Sequence, residues 1–302
     1  MNRTILFLTA FLMLASPHLQ AQKKTTALQE HNLQGKVKSV EEWEYNAETT
    51  GDNVDIDEES GIVSHHIVQF TRRGNIEEEK SFDNEGRMLG KSKYKYSEAG
   101  DLMETSDHNE KGKCCGRCIY TYNSHRQFAT LTLFLSDGSI ESATYHYSKE
   151  RLPDSITWNN PVRRKELFRY NEKGLLFEKQ LFENGNQVEK TEFRYDGQGR
   201  IIEETRTTAD GKRHTTLSAY DSHGRLQSVV QQGKDGGQES RTCWEYDSYG
   251  NILVEIWYNE ENIQNVRSTC EYTYDAQGNW TQQIWYDDGK PFSVTRRKIT
   301  YY

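Results

Sequence analysis

The polar and apolar positions of this chain repeat with a period of about 25 residues, and each period carries the same short signature. An anchor tyrosine is followed by Asp or Asn, two variable residues and a glycine, and an apolar residue follows two positions later. The residue two before the anchor is usually aromatic, so two rings share one face of a strand. The clearest anchors are Tyr195, Tyr220, Tyr246 and Tyr274, and Tyr170 begins a weaker copy; the glycines of these five are Gly199, Gly224, Gly250, Gly278 and Gly174.

Each period divides into two strands joined by tight turns. The D-x-x-G segment predicts the first turn, because Asp bonds backbone amides and Gly tolerates positive φ. Pairs such as Asn184-Gly185 and Asp288-Gly289 predict the second. We therefore expect an all-β fold, an antiparallel meander of about ten two-stranded repeats. Because an open twisted sheet rarely exceeds ~10 strands, the sheet should curl into a spiral, barrel-like or solenoid-like form.

The motif Y-D-x-x-G-R-[IL], found at residues 195–201 and 220–226, resembles the Rhs/YD-repeat family of bacterial cell-surface and toxin-associated proteins. The resemblance covers residues from about 40 to 302 and is most specific between 165 and 280. It implies a curled β-hairpin sheet and an exported or surface-exposed role, with carbohydrate binding sometimes proposed for the family. Toxin-enclosing members need many more repeats, so a component of a polymorphic-toxin-like system is only an alternative here.

The first 21 residues are typical of a secretory signal peptide. Arg3 precedes an apolar stretch from Thr4 to Ala15, and Pro17 and Ala21 follow it. That stretch is too short to span a bilayer, which needs ~20 residues. We expect an exported protein that is periplasmic, at the cell surface or secreted, with no transmembrane segment after cleavage. Residues 22–40 are predicted to be an N-terminal cap or linker, and residues 41–302 the repeat domain.

Composition supports a sheet with at least one solvated face. Hydrophobic residues make up 34% of the chain and the mean hydropathy is -0.95, yet aromatic residues reach 12%. Disordered segments are poor in aromatic residues, whereas tyrosine suits a surface that is apolar on one side and wet on the other. The formal charge of -8 argues against a nucleic-acid partner, because phosphate groups must be met by clustered Lys and Arg.

Three of the five cysteines form a cluster, Cys114, Cys115 and Cys118, and the other two are Cys243 and Cys270. A local disulfide or free thiols, a zinc site, and redox catalysis are the alternatives for the cluster. Its spacing is not that of paired CxxC motifs, so we predict no metal and no cofactor. Cys243 and Cys270 fall on opposite faces of the predicted sheet, so we expect no bond between them.

Aromatic residues accumulate in the last repeats and are candidates for ligand binding: Trp244, Trp257, Tyr258, Trp280, Trp285 and Tyr286. If Tyr258 and Tyr286 point to the inner face, alternation sends Trp257 and Trp285 to the outer one. Two exposed rings in consecutive repeats would then form a platform for a sugar or a protein partner. The alternative is that they cover a second layer or the terminal edge of the sheet.

Catalytic motifs are missing from the sequence, which contains neither G-x-S-x-G nor H-E-x-x-H. Acidic residues are abundant but scattered over the repeats. We therefore predict a non-catalytic exported protein that binds or scaffolds at the cell envelope. A carbohydrate-binding module is the alternative, and the partner would be a glycan or an envelope protein.

Overall fold

A computed structural model describes residues 26–50, 53–57, 60–148 and 152–302, so the predicted signal peptide lies outside the described residues. These described residues form one short helix and a series of strands: α1 (Ala27–Glu30), β1 (Val37–Thr50), β2 (Asn53–Ile56), β3 (Ile62–Phe70), β4 (Ile76–Phe82), β5 (Met88–Tyr96), β6 (Leu102–Asn109), β7 (Cys114–Tyr122), β8 (Phe128–Phe134), β9 (Ile140–His146), β10 (Ser155–Asn159), β11 (Arg164–Tyr170), β12 (Leu176–Glu183), β13 (Asn186–Tyr195), β14 (Ile201–Thr208), β15 (Arg213–Tyr220), β16 (Leu226–Gln232), β17 (Gln238–Tyr246), β18 (Ile252–Tyr258), β19 (Gln264–Tyr274), β20 (Trp280–Asp287) and β21 (Lys290–Tyr301).

The described residues belong to two compact units. The long unit comprises residues 26–120, 133–140 and 216–302. The short unit comprises residues 121–132 and 141–215. Each unit is an antiparallel sheet, which confirms the predicted all-β class and the antiparallel pairing.

In the long unit, strands that are consecutive in the chain pair with each other from β16 to β21 and from β3 to β7. Strand β1 lies between β21 and β3, and β2 pairs with the end of β1. In the short unit, consecutive strands pair from β9 to β14. The sheet begins at Val37, earlier than the domain boundary predicted at residue 41. Val37 and Val40 are buried and pair with Tyr301 and Ile299, so they belong to the sheet.

The D-x-x-G turns have the geometry that their residues predict. In the turn after β13, the Asp196 carboxylate accepts hydrogen bonds from the amides of Gln198 at 2.9 Å and Arg200 at 3.0 Å. Gly199 has a φ of +80°, in the left-handed region that glycine enters without a steric penalty. The aspartate therefore satisfies two turn amides, while the glycine returns the chain to the sheet.

A β-bulge follows these turns, and no pattern in the sequence predicts it. Tyr195 pairs with Ile201 while Arg194 pairs with Glu203, so Ile202 is an extra residue in β14. The equivalent extra residues elsewhere are Glu77, Met103, Phe177, Leu253 and Thr281. A second set of bulges near the other turns contains Val63, Leu89, Cys115, Val188, Glu239, Asn265 and Phe292. Bulges bend a strand and increase its twist, so they curve the sheet at regular intervals.

In the strands that end at an anchor tyrosine, the two faces differ in burial. The anchor tyrosines and the aromatic residues two positions before them lie on one face, which we name the tyrosine face. Phe168 on this face is 4% exposed, whereas the neighbouring Arg169 on the opposite face has a side chain that is 62% exposed. Phe193 and Arg194 show the same contrast. The predicted placement of both rings on one face of a strand is confirmed.

Residues 26–36 form a strap that crosses several turns of the long unit. Thr26 caps α1, because its side chain accepts from the Gln29 amide and the Gln29 side chain accepts from the Thr26 amide. The Leu28 amide then donates to the Gly74 carbonyl at 3.1 Å. The Asn32 amide group donates to the Tyr249 carbonyl at 2.8 Å. The strap therefore joins the turn after β3 to the turn after β17.

A small hydrophobic core lies where the strap meets the sheet. Leu33, Val37, Val40 and Phe70 are buried in it, and partly buried apolar side chains pack around them: Ala27, Leu28, Val68, Ile76, Ile299 and Tyr301. Asn279 is the polar counterpart of this core, at 2% exposure. Its side chain accepts from the Gln34 amide at 2.7 Å and donates to the Gln34 carbonyl at 2.9 Å.

Candidate functional site

The anchor tyrosines have structural roles that account for their recurrence. The hydroxyl of Tyr195 donates to the Leu176 carbonyl at 2.6 Å, and that of Tyr246 donates to the Leu226 carbonyl at 2.7 Å. Tyr170 donates to the Pro153 carbonyl at 2.9 Å, and Tyr274 donates to the Asp247 carboxylate. Burial raises the pKa of Tyr195 to about 12. The anchors therefore tie each repeat to the one before it.

The six aromatic candidates are divided between both faces. Trp244, Trp257, Trp280 and Trp285 share the tyrosine face, because the strand register pairs them with positions on that face. Tyr258 and Tyr286 lie on the opposite face. The Arg241 guanidinium lies 5.2 Å from the Tyr258 ring centroid, and the Tyr286 hydroxyl donates to Glu271 at 3.0 Å.

The predicted orientation of Trp257 and Trp285 is therefore wrong. The anchor Tyr246 pairs with Ile252, and Trp257 would face away from it if the strand were regular. The extra residue Leu253 reverses the alternation, so Trp257 and not Tyr258 joins the tyrosine face. Thr281 has the same effect on Trp285. The two tryptophans lie opposite Val266 and Cys270 of β19, four residues apart, so they do not form a side-by-side platform.

Trp280 belongs to a packed cluster at the junction of β1, β20 and β21. The Arg297 guanidinium lies 3.3 Å from the Trp280 ring centroid, and its Nε donates to Glu42 at 2.6 Å. The Tyr272 ring is 6.0 Å from Trp280, and the Gln283 amide donates to its hydroxyl at 2.9 Å. Burial lowers the pKa of Arg297, while Glu42 opposes that change. This cluster holds the first and last strands together and leaves little ring surface for a ligand.

Trp257 is the exposed member of the aromatic set, with 48% of its surface accessible. Val266, its partner on β19, is also exposed, whereas Thr242, its partner on β17, is half-buried. Trp244, Trp280 and Trp285 are half-buried. The sequence therefore identified one exposed tryptophan of this group, and the structure assigns the others to packing.

The cysteine cluster is spread over both faces of β7. Cys118 is buried on the tyrosine face opposite Thr105, whereas Cys114 is exposed and pairs with His108 on the opposite face. Cys115 is the bulge residue between them. Burial raises the pKa of Cys118 to about 11. All five cysteines are free thiols, and the described residues contain no group of three His, Cys, Asp or Glu side chains arranged to hold a metal ion.

Cys243 and Cys270 also lie on different faces, as their positions in the repeat predicted. Cys270 pairs with Trp285 on the tyrosine face. Cys243 pairs with Ile256, which pairs with Arg267 on the opposite face. A bond between the two thiols would have to pass through the sheet.

Charged residues form ion pairs on the face opposite the tyrosines. Glu104 bonds Lys95 at 2.9 Å and Arg117 at 2.7 Å, and these contacts, that with Lys95 foremost, lower the pKa of Glu104. Glu178, at the equivalent position in the short unit, pairs with Arg169 and Lys190, each at 3.1 Å. The repeating glutamates are thus occupied by neighbouring cations.

Exposed apolar side chains occur at the bulges, which the sequence did not reveal. In the long unit, Val63, Leu89 and Phe292 are exposed at bulges of β3, β5 and β21, and Met103 at the bulge of β6. Phe177 and Ile202 are exposed at bulges of the short unit. The bulge lifts each side chain out of the regular alternation, so a repeated position presents apolar surface to solvent.

No helix in the described part of the chain combines the length and the apolar character needed to cross a bilayer.

Comparison with known proteins finds one family model and several solved structures. A family model described as "Uncharacterised protein" matches residues 129–232, about a third of the chain, and no curated protein matches the sequence. The chain is similar to the crystal structure of TcdB2-TccC3-Cdc42, with 12% identity and a TM-score of 0.38 over 82% of this chain and 18% of that one. It is also similar to a porin-like protein from Bacteroides uniformis, with 12% identity and a TM-score of 0.36 over 87% of this chain and 96% of that one. The chain spans about a fifth of the length of the first of these structures.

Proposed function

We propose that this chain is an exported, non-catalytic β-repeat protein that binds or scaffolds partners at the cell envelope. The first 21 residues support export, and the Y-D-x-x-G-R-[IL] motif supports membership of the Rhs/YD-repeat family. The repeat residues themselves are engaged in packing, in turns and in ion pairs. Contact with partners is therefore assigned to side chains outside those roles.

The repeated exposure of apolar bulge residues carries the proposal. Single exposed apolar residues are common on protein surfaces, but the same structural position is exposed in several repeats. Val63 and Leu89 are each more than half exposed, at 54% and 55%. Apolar side chains exposed at several of these bulges suit a partner that offers matching apolar pockets.

Site-specific photo-cross-linking in the native cell tests this proposal. A photoreactive residue is placed at Val63 or Leu89, and at Lys95 or Arg117 as the control. The control residues are exposed but lie in ion pairs on regular strand positions. We expect one defined adduct from the bulge positions and none from the controls. Equal labelling at all four positions, or none at any, would contradict the proposal.

Carbohydrate binding through Trp257 is the second candidate, supported by its 48% exposure. An exposed indole ring provides a flat apolar surface on which a sugar ring can lie. A glycan array should then show a ligand that is lost in Trp257→Ala. Phe292→Ala, at an exposed ring of β21, is the control and should keep binding. Absence of any glycan ligand, or equal binding by both variants, rules this candidate out.

A further inference from the structure

An open cleft of about 650 Å³ lies in the long unit between two successive D-x-x-G-type turns. One is the turn of residues 71–75, after β3, and the other is the turn of residues 97–101, after β5. Thr71, Arg72, Arg73, Tyr96 and Ser97 line the cleft. None of these residues has a part in the binding surface proposed above, so the inference drawn from them stands independently.

The two turns depart from the repeat at their first position. Most turns after an anchor tyrosine begin with Asp or Asn, as in the turn where Asp221 accepts from the amides of His223 at 2.9 Å and Arg225 at 2.8 Å. Here a hydroxyl takes that place: Thr71 accepts from the Asn75 amide at 3.2 Å, and Ser97 accepts from the Asp101 amide at 3.1 Å. A carboxylate can only accept hydrogen bonds, whereas a hydroxyl that accepts one can still donate its own hydrogen.

The arginines of the cleft also differ from those of other turns. Arg225 bonds Asp221 of its own turn at 2.7 Å, and Arg200 bonds Asp196 at 2.6 Å. Arg72 and Arg73 lie at the two middle positions of their turn and not after its glycine, as those arginines do. Among the residues that the structure describes, neither forms an ion pair. Both are exposed.

Contacts with neighbouring groups orient both guanidinium groups. The Arg72 guanidinium lies 5.0 Å from the Tyr302 ring centroid. Arg73 donates to the backbone carbonyl of Glu98. These contacts leave most of the N–H groups of each arginine available, since a guanidinium carries five donors. Two exposed cations and two hydroxyl groups therefore line one cleft.

We infer that this cleft binds a small ligand through an oxyanion, a carboxylate, phosphate or sulfate group, as carried by an acidic sugar. Guanidinium groups bind such anions in a bidentate manner, and the hydroxyls of Thr71 and Ser97 supply further donors. The open cleft has more room than a bare ion needs. Glu98 also lines the cleft, so its residues carry two cations and one anion in a chain of formal charge -8.

Titration of the full chain with three probes tests the inference. D-glucuronate carries the carboxylate on a sugar, D-glucose is its neutral match, and inorganic phosphate is a free oxyanion. Isothermal calorimetry at low ionic strength should show saturable binding of glucuronate and none of glucose. Phosphate that competes with glucuronate identifies the oxyanion as sufficient, and phosphate that does not compete identifies the sugar-borne group as the ligand.

Two double variants distinguish an effect of charge on ligand binding from an effect of the substitutions on folding. Thr71→Asp with Ser97→Asp restores the turn residues of the other repeats and places two carboxylates in the cleft. We expect at least a tenfold loss of glucuronate affinity, because like charges repel at short range. Thr71→Asn with Ser97→Asn is the matched control, since Asn also begins natural turns here but carries no charge. Its affinity should stay within about threefold of the original, and both pairs should keep the unfolding midpoint.

The inference is overturned if glucuronate does not bind, if glucose binds equally well, or if the aspartate pair binds as tightly as the asparagine pair. Arg72→Gln with Arg73→Gln gives an independent reading and should abolish binding. Arg87→Gln is its control, because Arg87 lies in another turn and is neutralised by Asp83 at 2.7 Å.

Discussion

The hydroxyl of the anchor tyrosine explains why most repeats carry this residue and not phenylalanine, which stands at the anchor position only in the repeat of Phe70. Tyr195 bonds the carbonyl of Leu176, and Tyr246 bonds that of Leu226. In both cases the acceptor is the apolar residue two positions after the glycine of the preceding repeat. One side chain thus fills the tyrosine face with its ring and fixes a neighbouring strand with its hydroxyl.

Tyr195→Phe should therefore destabilise the protein although it preserves the ring. The change removes the donor to the Leu176 carbonyl, and the expected loss is about 0.5–1.5 kcal/mol in the free energy of unfolding. Urea unfolding followed by circular dichroism measures it. Tyr249→Phe is the control, since Tyr249 is exposed and stacks on Tyr274 through its ring. Equal effects of the two substitutions would contradict the role of the hydroxyl.

Replacement of Arg297 should leave the carboxylate of Glu42 without its cationic partner. Arg297→Met removes the cation that bonds Glu42 at 2.6 Å. Because the Glu42 side chain is 33% exposed, water screens part of the penalty, and we expect about 2 kcal/mol instead of the roughly 3–5 kcal/mol of a fully buried pair. Glu42→Gln combined with Arg297→Met should recover at least half of the loss. A double variant as unstable as the single one in urea unfolding would refute this account.

At the scale of strands, the bulges decide which residues share a face. The D-x-x-G hairpins described above contain an extra residue just after the turn, and this residue reverses the alternation of the strand that follows. This reversal places the side chains of Trp257 and Trp285 on the tyrosine face. Several of the extra residues also expose apolar side chains. The β-bulges therefore produce both the curvature of the sheet and the candidate contact surface.

Deleting a bulge residue should be far more damaging than changing its side chain. Ile202→Thr alters an exposed side chain and should change stability by no more than about 0.5 kcal/mol. Deletion of Ile202 would restore simple alternation and turn the buried Thr205 of β14 from its present face toward the tyrosine face. We expect this deletion to lower the free energy of unfolding by more than about 2 kcal/mol. Urea unfolding of the two variants compares them, and a tolerated deletion would show that the bulge does not set the register.

Local patterns in the sequence were sufficient for the strands, the turns and the burial of the ring pairs. Alternation with a period of two and the Asp and Gly of the turns depend only on neighbouring residues. A bulge is defined by the residue across the ladder, so Leu253 and Thr281 look like ordinary strand residues in the sequence. The cluster around Trp280 was also hidden, because Glu42, which bonds the Arg297 that lies over this ring, comes from the opposite end of the chain. Thr71 and Ser97 were visible as departures from the repeat, but only the fold shows that they line one cleft.

At the scale of the whole chain, the first and last strands of the long unit lie side by side. Strand β1 pairs with β21 from Val37–Tyr301 to Asn46–Ser293. Contacts between residues so distant in sequence cost a large loop-closure entropy. The pairing of β1 with β21 must therefore be stabilised by strong interactions. The Arg297–Glu42 pair and the hydrogen bond from Tyr302 to the Phe70 carbonyl supply them. Tyrosine hydroxyls thus donate stabilising hydrogen bonds beside the β1–β21 pairing as well as between successive repeats.

The dependence on buried tyrosines predicts that the chain unfolds cooperatively at alkaline pH. Burial raises the pKa of Tyr195 and Tyr286 to about 12 from an ordinary value of 10.0, and it also raises those of Tyr94, Tyr96, Tyr170, Tyr246, Tyr272, Tyr274 and Tyr301. The folded state therefore holds these protons more tightly than the unfolded state does. Its stability is fully present below pH 10 and decreases as the pH rises toward 12. Phenolate absorbance and far-ultraviolet circular dichroism should change together in that interval, because ionisation of these side chains requires their exposure. Ionisation of most tyrosines near pH 10 with the circular dichroism unchanged would show that the hydroxyls are not held as described.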